Sequence, residues 1–522
     1  MLLHYFKLAY RTAWRDKTTF AINLVGLAVG LTCFVLIALW IQDEWRFDKF
    51  HQNKDRLFQV MMRSSNNAND VVVTAGTPGL LAETLVEDFP EIEQATTVAN
   101  LGNTGIIIND DLRFKAKERY VGKDFFELFN FPLVAGEATP LLNNLSHILL
   151  SEEMATKLFG NAQNAVNQTI EWQRNWAEVS GNYTIAGVFA DVPEHSTLEF
   201  DALFSYDLFV KNKPSIKQWY NSGPRTYFSL KESADPLAFN QKIEHLIRSK
   251  HDRNSYSTLF IRKFSDRYLY DHFENGIQSG GRITYVKLFA LVALFILLIA
   301  CINFMNLSTA KASQRLKEVA VKKTIGARRS TLIQQYLSQA IFTAFLGLIL
   351  ALFLTQLSIP VFNEITGKNL VFTFSPPLLI GLTLITFITG IIAGSYPAFY
   401  LSQFQPIQVF KGAFGNRLNA VWLRKGLVVF QFALSIILIV AVIVTQQQIQ
   451  FIQTKHLGYE QDNLILFKKE GSIKENMESF LTEIKQIPGI VNASTIDGNM
   501  TGSYGYTSTI RWEGDQQQEN PI

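Results

Sequence analysis

Five apolar runs, each close to the roughly 20 residues that a helix needs to cross a bilayer, constrain this chain more than any other feature. They occupy residues 20–41, 286–307, 337–359, 378–400 and 427–445. The pattern predicts an α-helical membrane protein with five spans. The first run follows Lys7, Arg11, Arg15 and Lys17, yet no small-residue cleavage site comes after it, because the chain continues as IQDEWRFDKF. It reads as a retained anchor rather than a removable leader.

Basic residues beside the spans set the expected orientation. The N-terminal segment (1–19), the loop after the second span (308–336) and the loop after the fourth (411–426, with Lys411, Arg417, Arg424 and Lys425) are basic, whereas the short loop bearing Glu364 and Lys368 is balanced. Positive loops stay on the cytoplasmic side. The N-terminus is therefore expected inside, with 42–284 and 446–522 outside. The first outside segment is long enough for folded domains and mixes periods. Leu57 to Arg63 alternates as a strand; Leu81, Leu85 and Val86 have helical spacing before Pro90. Ser151 caps a helix SEEMATKLFG, and YTIAGVF (183–189) reads as a strand. The expected fold is a large α+β domain on five spans.

Several function classes fall away. A net charge of +3 gives no footprint for nucleic acid. Cys33 and Cys301 lie inside apolar runs and read as packing residues. His51, His147, His195, His251 and His272 are too scattered for a metal site and read as surface or loop residues. No acidic or basic residue sits deep in a span, which disfavours an ion-coupled carrier. No GxxxxGK[ST] occurs, so the chain brings no ATP site of its own; no cofactor or metal is expected on it.

The loop 308–336 carries Lys311, Arg315, Lys317, Lys322, Lys323, Arg328 and Arg329 against the single acid Glu318. Topology accounts for that charge, but not for Leu316, Val319 and Ala320, which share one face of a helix and form an apolar stripe in a cationic frame. Glu318 and Lys322 are spaced to pair on that helix, and Gly326 is placed to end it. In the first span, Gly26 and Gly30 form a GxxxG spacing that permits close helix approach. The last third begins to repeat the first: Trp422 to Lys425 answers Trp14 and Arg15, and IPGIVNAS (487–494) answers FPEIEQAT (89–96), at an offset of about 400 residues. On that reading 446–522 starts a second, incomplete outside domain of a duplicated permease.

The run NLSTAKASQRLKEVAVKKTIGARRSTLIQQYLSQ resembles the signature loop of the MacB/FtsX-like ABC transporter permeases. SYPAFYLSQFQPIQVFKG, LRKGLVVFQFALSIILI and HLGYEQDNLILF are similar to further blocks of that family, and SEEMATKLFGN and YTIAGVFADVPEHS to its periplasmic core. The resemblance implies a MacB-like periplasmic core at 42–284 and an FtsX-like permease domain at 285–410, in a bacterial inner membrane. It implies a permease subunit that transmits the movement of a separate cytoplasmic ABC ATPase, the component that uses ATP, to the outside domain. Arg315, Glu318, Val319, Lys322, Gly326 and Ala327 stand at the positions of the family's coupling helix. Further implied partners are a second permease half, as a dimer or pseudo-dimer, and a periplasmic adaptor or outer-membrane protein. A non-transporting signalling scaffold that regulates a periplasmic partner, such as a cell-wall hydrolase, is the alternative.

Overall fold

The computed structural model describes residues 17–67, 70–100, 104–139, 144–174, 179–250, 257–310, 312–373, 375–403, 418–455, 463–467, 473 and 476–496. Trp14 and Arg15, His251, Lys411 and Arg417 lie outside them, as does most of the expected second outside domain.

Helix α1 (Lys17–Arg46) enters a sheet domain that contains α2 (Leu81–Asp88) and α3 (Glu152–Phe159). The chain then returns through α4 (Arg282–Ala310), α5 (Ala312–Thr324), α6 (Arg329–Thr366), α7 (Pro376–Ser402) and α8 (Leu418–Thr454). Five of these, all but α2, α3 and α5, are long and apolar enough to cross a membrane. They run two or more residues past the expected spans at both ends, because hydropathy marks the apolar core of a span and not the turns that continue the helix.

The spans touch through small residues. A Cβ on Gly30 would come within 2.6 Å of Ala300 Cβ in α4, and one on Gly394 in α7 within 2.5 Å of Ala340 Cβ in α6. Gly26 faces α4 as well, where an added Cβ would lie 3.2 Å from Asn303 Nδ2. Small residues let backbones approach where lipid offers no hydrophobic drive to associate.

In the sheet domain, β4 (Thr104–Asn109), β5 (Leu112–Val121), β7 (His147–Ser151), β8 (Thr169–Gln173), β9 (Gly181–Phe189) and β10 (Ala202–Ser205) pair in the order β10-β7-β9-β8-β4-β5. A parallel β5–β10 pairing closes that order into a ring. Its interior is filled by Trp172, Tyr120, Phe204, Ile107 and Ile185, all at or below 1% exposure. Tyr120 sits beside a buried ion pair: Arg174 Nη2 lies 3.0 Å from Glu118 Oε1, and Tyr120 donates its hydroxyl hydrogen to Glu118 Oε2 at 3.3 Å.

An antiparallel extension, β3 (Ile92–Ala99), β11 (Arg225–Leu230), β1 (Leu57–Asn67) and β12 (Thr258–Lys263), continues from β5, with β2 (Asp70–Thr74) beside β1 and β6 (Leu133–Gly136) beside β9. The strand at Leu57, the α2 helix, the strand at 183–189 and the Ser151 cap, which accepts from Met154 N at 3.3 Å, stand where the sequence pattern places them.

His51 departs from its expected surface position. It is 2% exposed, with its ring edge-on to Phe129, Phe131 and Phe264 and its Nδ1–H donated to Phe129 O at 2.7 Å. Burial pushes the imidazole down to about 4. A base whose folded pKa is depressed stabilises the fold above its unfolded pKa and loses that contribution as pH falls. Stability is therefore expected to drop between pH 6.5 and about pH 4, by at most about 3 kcal/mol. Comparing urea unfolding of the wild type with His51→Phe across this window checks it: the variant should lose this component of the slope.

Candidate functional site: a basic helix and an ion cluster at opposite ends of the spans

Helix α5 is held to the bundle on its apolar side. Val319 and Ala320 are each 1% exposed and pack with Leu332 and Tyr336 of α6 and Ala398 and Leu401 of α7. Val319 and Ala320 of the expected stripe thus dock on the chain's own spans, whereas Val321, at 46%, and Ile325, at 82%, are exposed apolar residues. Val319 anchors the helix instead of facing outward. The structure describes the backbone at Arg315 and Leu316 but not their side chains.

Glu318 Oε1 receives Lys322 Nζ at 2.8 Å, the (i, i+4) pair expected from spacing, and Lys322 also donates to Gln335 Oε1 of α6 at 3.1 Å. Lys323 Nζ donates to Ser402 O, the last residue of α7, at 2.7 Å. A cation on terminal helix carbonyls is favoured by their unsatisfied lone pairs and by the helix dipole. Gly326, at φ +100°, ends α5: its N–H bonds Lys323 O at 3.0 Å and Ala327 N–H bonds Lys322 O at 2.9 Å. That double bond pattern is a Schellman cap, which needs a left-handed residue where Gly326 stands.

The other end of the spans carries a set that sequence reading passed over. Asp43 and Glu44 close α1, Lys368 follows α6, Arg282 opens α4, and His195 and Tyr268 belong to the sheet domain. Lys368 Nζ bonds Asp43 Oδ2 and lies 2.5 Å from Glu44 Oε1. Arg282 Nη1 stands 3.4 Å from Glu44 Oε1, and Tyr268 donates its hydroxyl to the same oxygen at 3.2 Å. His195 Nε2 lies 2.6 Å from Asp43 Oδ1. Phe47 stacks on Tyr268 with ring centroids 3.7 Å apart, and Lys368 sits 5.6 Å from that Phe47 ring. Glu44 is 1% exposed.

Two spans, the loop after a third and two loops of the sheet domain therefore meet on two carboxylates. The signal was present: an Asp-Glu pair directly after the first span and a lone lysine in the balanced loop. What sequence could not give was their proximity.

A family model described as MacB-like periplasmic core domain matches residues 20–246, and one described as FtsX-like permease C-terminal matches residues 290–406. The chain joins a MacB-like periplasmic core domain to an FtsX-like permease domain. Among relatives, this MacB/FtsX-like chain is 31% identical over 428 residues to a macrolide export ATP-binding/permease protein MacB of Campylobacter jejuni, covering 77% of this chain and 60% of that protein. It is 20% identical over 429 residues to a pyoverdine export ATP-binding/permease protein PvdT of Pseudomonas putida, covering 78% and 59%.

The chain spans about three-fifths of the length of these curated relatives. A crystal structure of the periplasmic region of MacB from Actinobacillus actinomycetemcomitans matches with 15% identity and a TM-score of 0.29, covering 40% of this chain and 89% of that one. This chain thus combines five helices long and apolar enough to cross a membrane with a large α+β domain of the MacB-like periplasmic core type.

Proposed function

We propose that this chain is the membrane subunit of a bacterial inner-membrane ABC system, with residues 42–284 in the periplasm and α5 on the cytoplasmic side as the surface that a separate ATPase moves. The movement passes through the spans to the sheet domain and there drives export or handling of an envelope substrate. The observation that carries this reading is the reach of α6. At 38 residues it is about 57 Å long. It packs against α5 at one end, and the loop leaving its other end supplies Lys368 to the cluster that joins the sheet domain.

ATP hydrolysis belongs to the partner. The sequence holds no phosphate-binding loop, while the relatives' printed names join ATP binding to permease, which supports an ATP-binding component acting with these residues. The positive loops favour the stated orientation. A second permease half is the partner we infer for α8, where Leu434 is buried while Val429, Phe432, Ile436 and Ile437 are exposed. An adaptor or outer-membrane protein on the periplasmic side completes the assembly we propose.

The test is to co-purify the chain with its ATPase and compare ATP hydrolysis with and without the permease. Glu318→Pro, which removes a backbone donor inside α5 and costs roughly 3 kcal/mol of helix, and Lys322→Glu should each abolish the permease-dependent part of the rate, by about tenfold or more. Both variants should still insert. Unaltered stimulation in both would reject α5 as the contact.

A further inference from the structure

One face of the sheet domain gathers arginines with no carboxylate in direct contact among the described residues. Across the extension, Thr96 of β3, Tyr227 of β11, Gln59 of β1 and Arg262 of β12 stand in one cross-strand row. Residues in such a row point to the same side of the sheet, as does Arg225, two before Tyr227 in β11. Arg267, leaving the short turn Phe264–Asp266, closes over this face and donates Nη1–H to Tyr227 Oη at 3.0 Å.

The hydrogen bonds present do not use up the donors. Arg262 Nη2 donates to Gln59 Oε1 at 2.7 Å, and Arg267 Nη2 to Thr197 O at 3.4 Å. Since a guanidinium only donates, the Gln59 carbonyl must face Arg262, which turns its Nε2 amide hydrogens the other way. Gln59 is fully buried, and neither its Nε2 nor Arg262 Nε has a hydrogen-bond partner among the described residues.

Among the described residues, no carboxylate comes within ion-pair distance of Arg225, Arg262 or Arg267. Asp48 is committed to Thr197, receiving its N–H at 2.8 Å and its hydroxyl at 2.5 Å. Burial, and then the neighbouring Arg267, push the Arg262 guanidinium down to about 10. Asp48 acts on Arg262 and Arg267, and Asp271 on Arg262, only from beyond ion-pair distance; the buried unpaired N–H groups on this face stay costly unless an acceptor-only, negatively charged group completes them.

We propose that this face binds a phosphate-type oxyanion, held by Arg225, Arg262 and Arg267 with the Gln59 amide at its inner end. Arg225 is the exposed member and marks the entry side. Phosphate suits the set because guanidinium forks match its oxygens and it can accept from several donors at once. The face also lies near the spans, since Arg267 reaches Thr197, and Thr197 holds Asp48, two residues beyond α1. Either a lipid headgroup or a soluble phosphate-bearing molecule could therefore supply the anion.

The experiment uses the full chain. Inorganic phosphate is titrated calorimetrically into protein in neutral detergent, with ionic strength fixed by chloride, for the wild type, Arg225→Gln and Arg262→Gln. In parallel, thermal midpoints are compared in nanodiscs of phosphatidylglycerol and of phosphatidylcholine. Phosphate binding that weakens about tenfold or more in the variants supports the site with a soluble source. A phosphatidylglycerol-dependent rise in midpoint that Arg225→Gln removes supports it with a headgroup source. The exposed Arg225 keeps the test independent of folding. Absence of both effects, or effects of equal size in wild type and variants, overturns the proposal.

Discussion

Lys368→Ala is expected to leave the chain inserted in the membrane while cutting ATP-driven movement of the sheet domain by at least about tenfold. The substitution removes the cation that bridges Asp43 and Glu44. Among the described residues, Glu44, at 1% exposure, then keeps only Arg282 at 3.4 Å and the Tyr268 hydroxyl at 3.2 Å, beside a second carboxylate. Removing one partner of a buried pair costs about 3–5 kcal/mol because the remaining charge stays desolvated. In this protein the cost falls on the contact between α1, the loop after α6, and the sheet domain.

Two companions separate transmission from mere damage. Lys368→Arg preserves the charge and should retain most of the movement. Asp43→Asn/Glu44→Gln/Lys368→Met removes charge from both sides and should recover thermal stability without recovering movement. If the triple variant moved as the wild type does, the ion cluster would be structural only.

The second large effect is one of stability. Glu118→Leu should destabilise the sheet domain by about 3–5 kcal/mol, since it removes the buried carboxylate that Arg174, whose side chain is 5% exposed, faces at 3.0 Å. Urea unfolding followed through the fluorescence of the buried Trp172 reports on the same interior. Glu118→Leu/Arg174→Met should regain most of the loss, because replacing both members of a buried pair by apolar groups is close to neutral. Additive losses in the double variant would contradict this account of the pair.

The spans and the main strands were legible because their signals are local: apolar runs of span length, alternation at Leu57 to Arg63, a serine cap at Ser151. The end of α5 at Gly326 was legible for the same reason. The side against which α5 packs was not. Val319 and Ala320 form a stripe that could have faced a partner, and only the return of α6 and α7 decides that their own chain covers it. The ion cluster was hidden more deeply, since Asp43 and Lys368 are separated by 325 residues. The ring of strands was also out of reach, because its closure depends on the parallel β5–β10 pairing, which no short-range pattern encodes. His51 shows the same limit: whether an isolated histidine is exposed or enclosed depends on aromatics distant in sequence.

The central claim is that displacement of α5 reaches the sheet domain through the spans. Spin labels at Ile325, 82% exposed beside α5, and Leu237, 77% exposed in the sheet domain, measure it directly once Cys33 and Cys301 are replaced by serine. With the ATPase bound in nanodiscs, the distance between them should change on adding ATP in the wild type and stay fixed in Lys368→Ala. A distance that ATP does not alter in the wild type, or that changes equally in the variant, would contradict the claim.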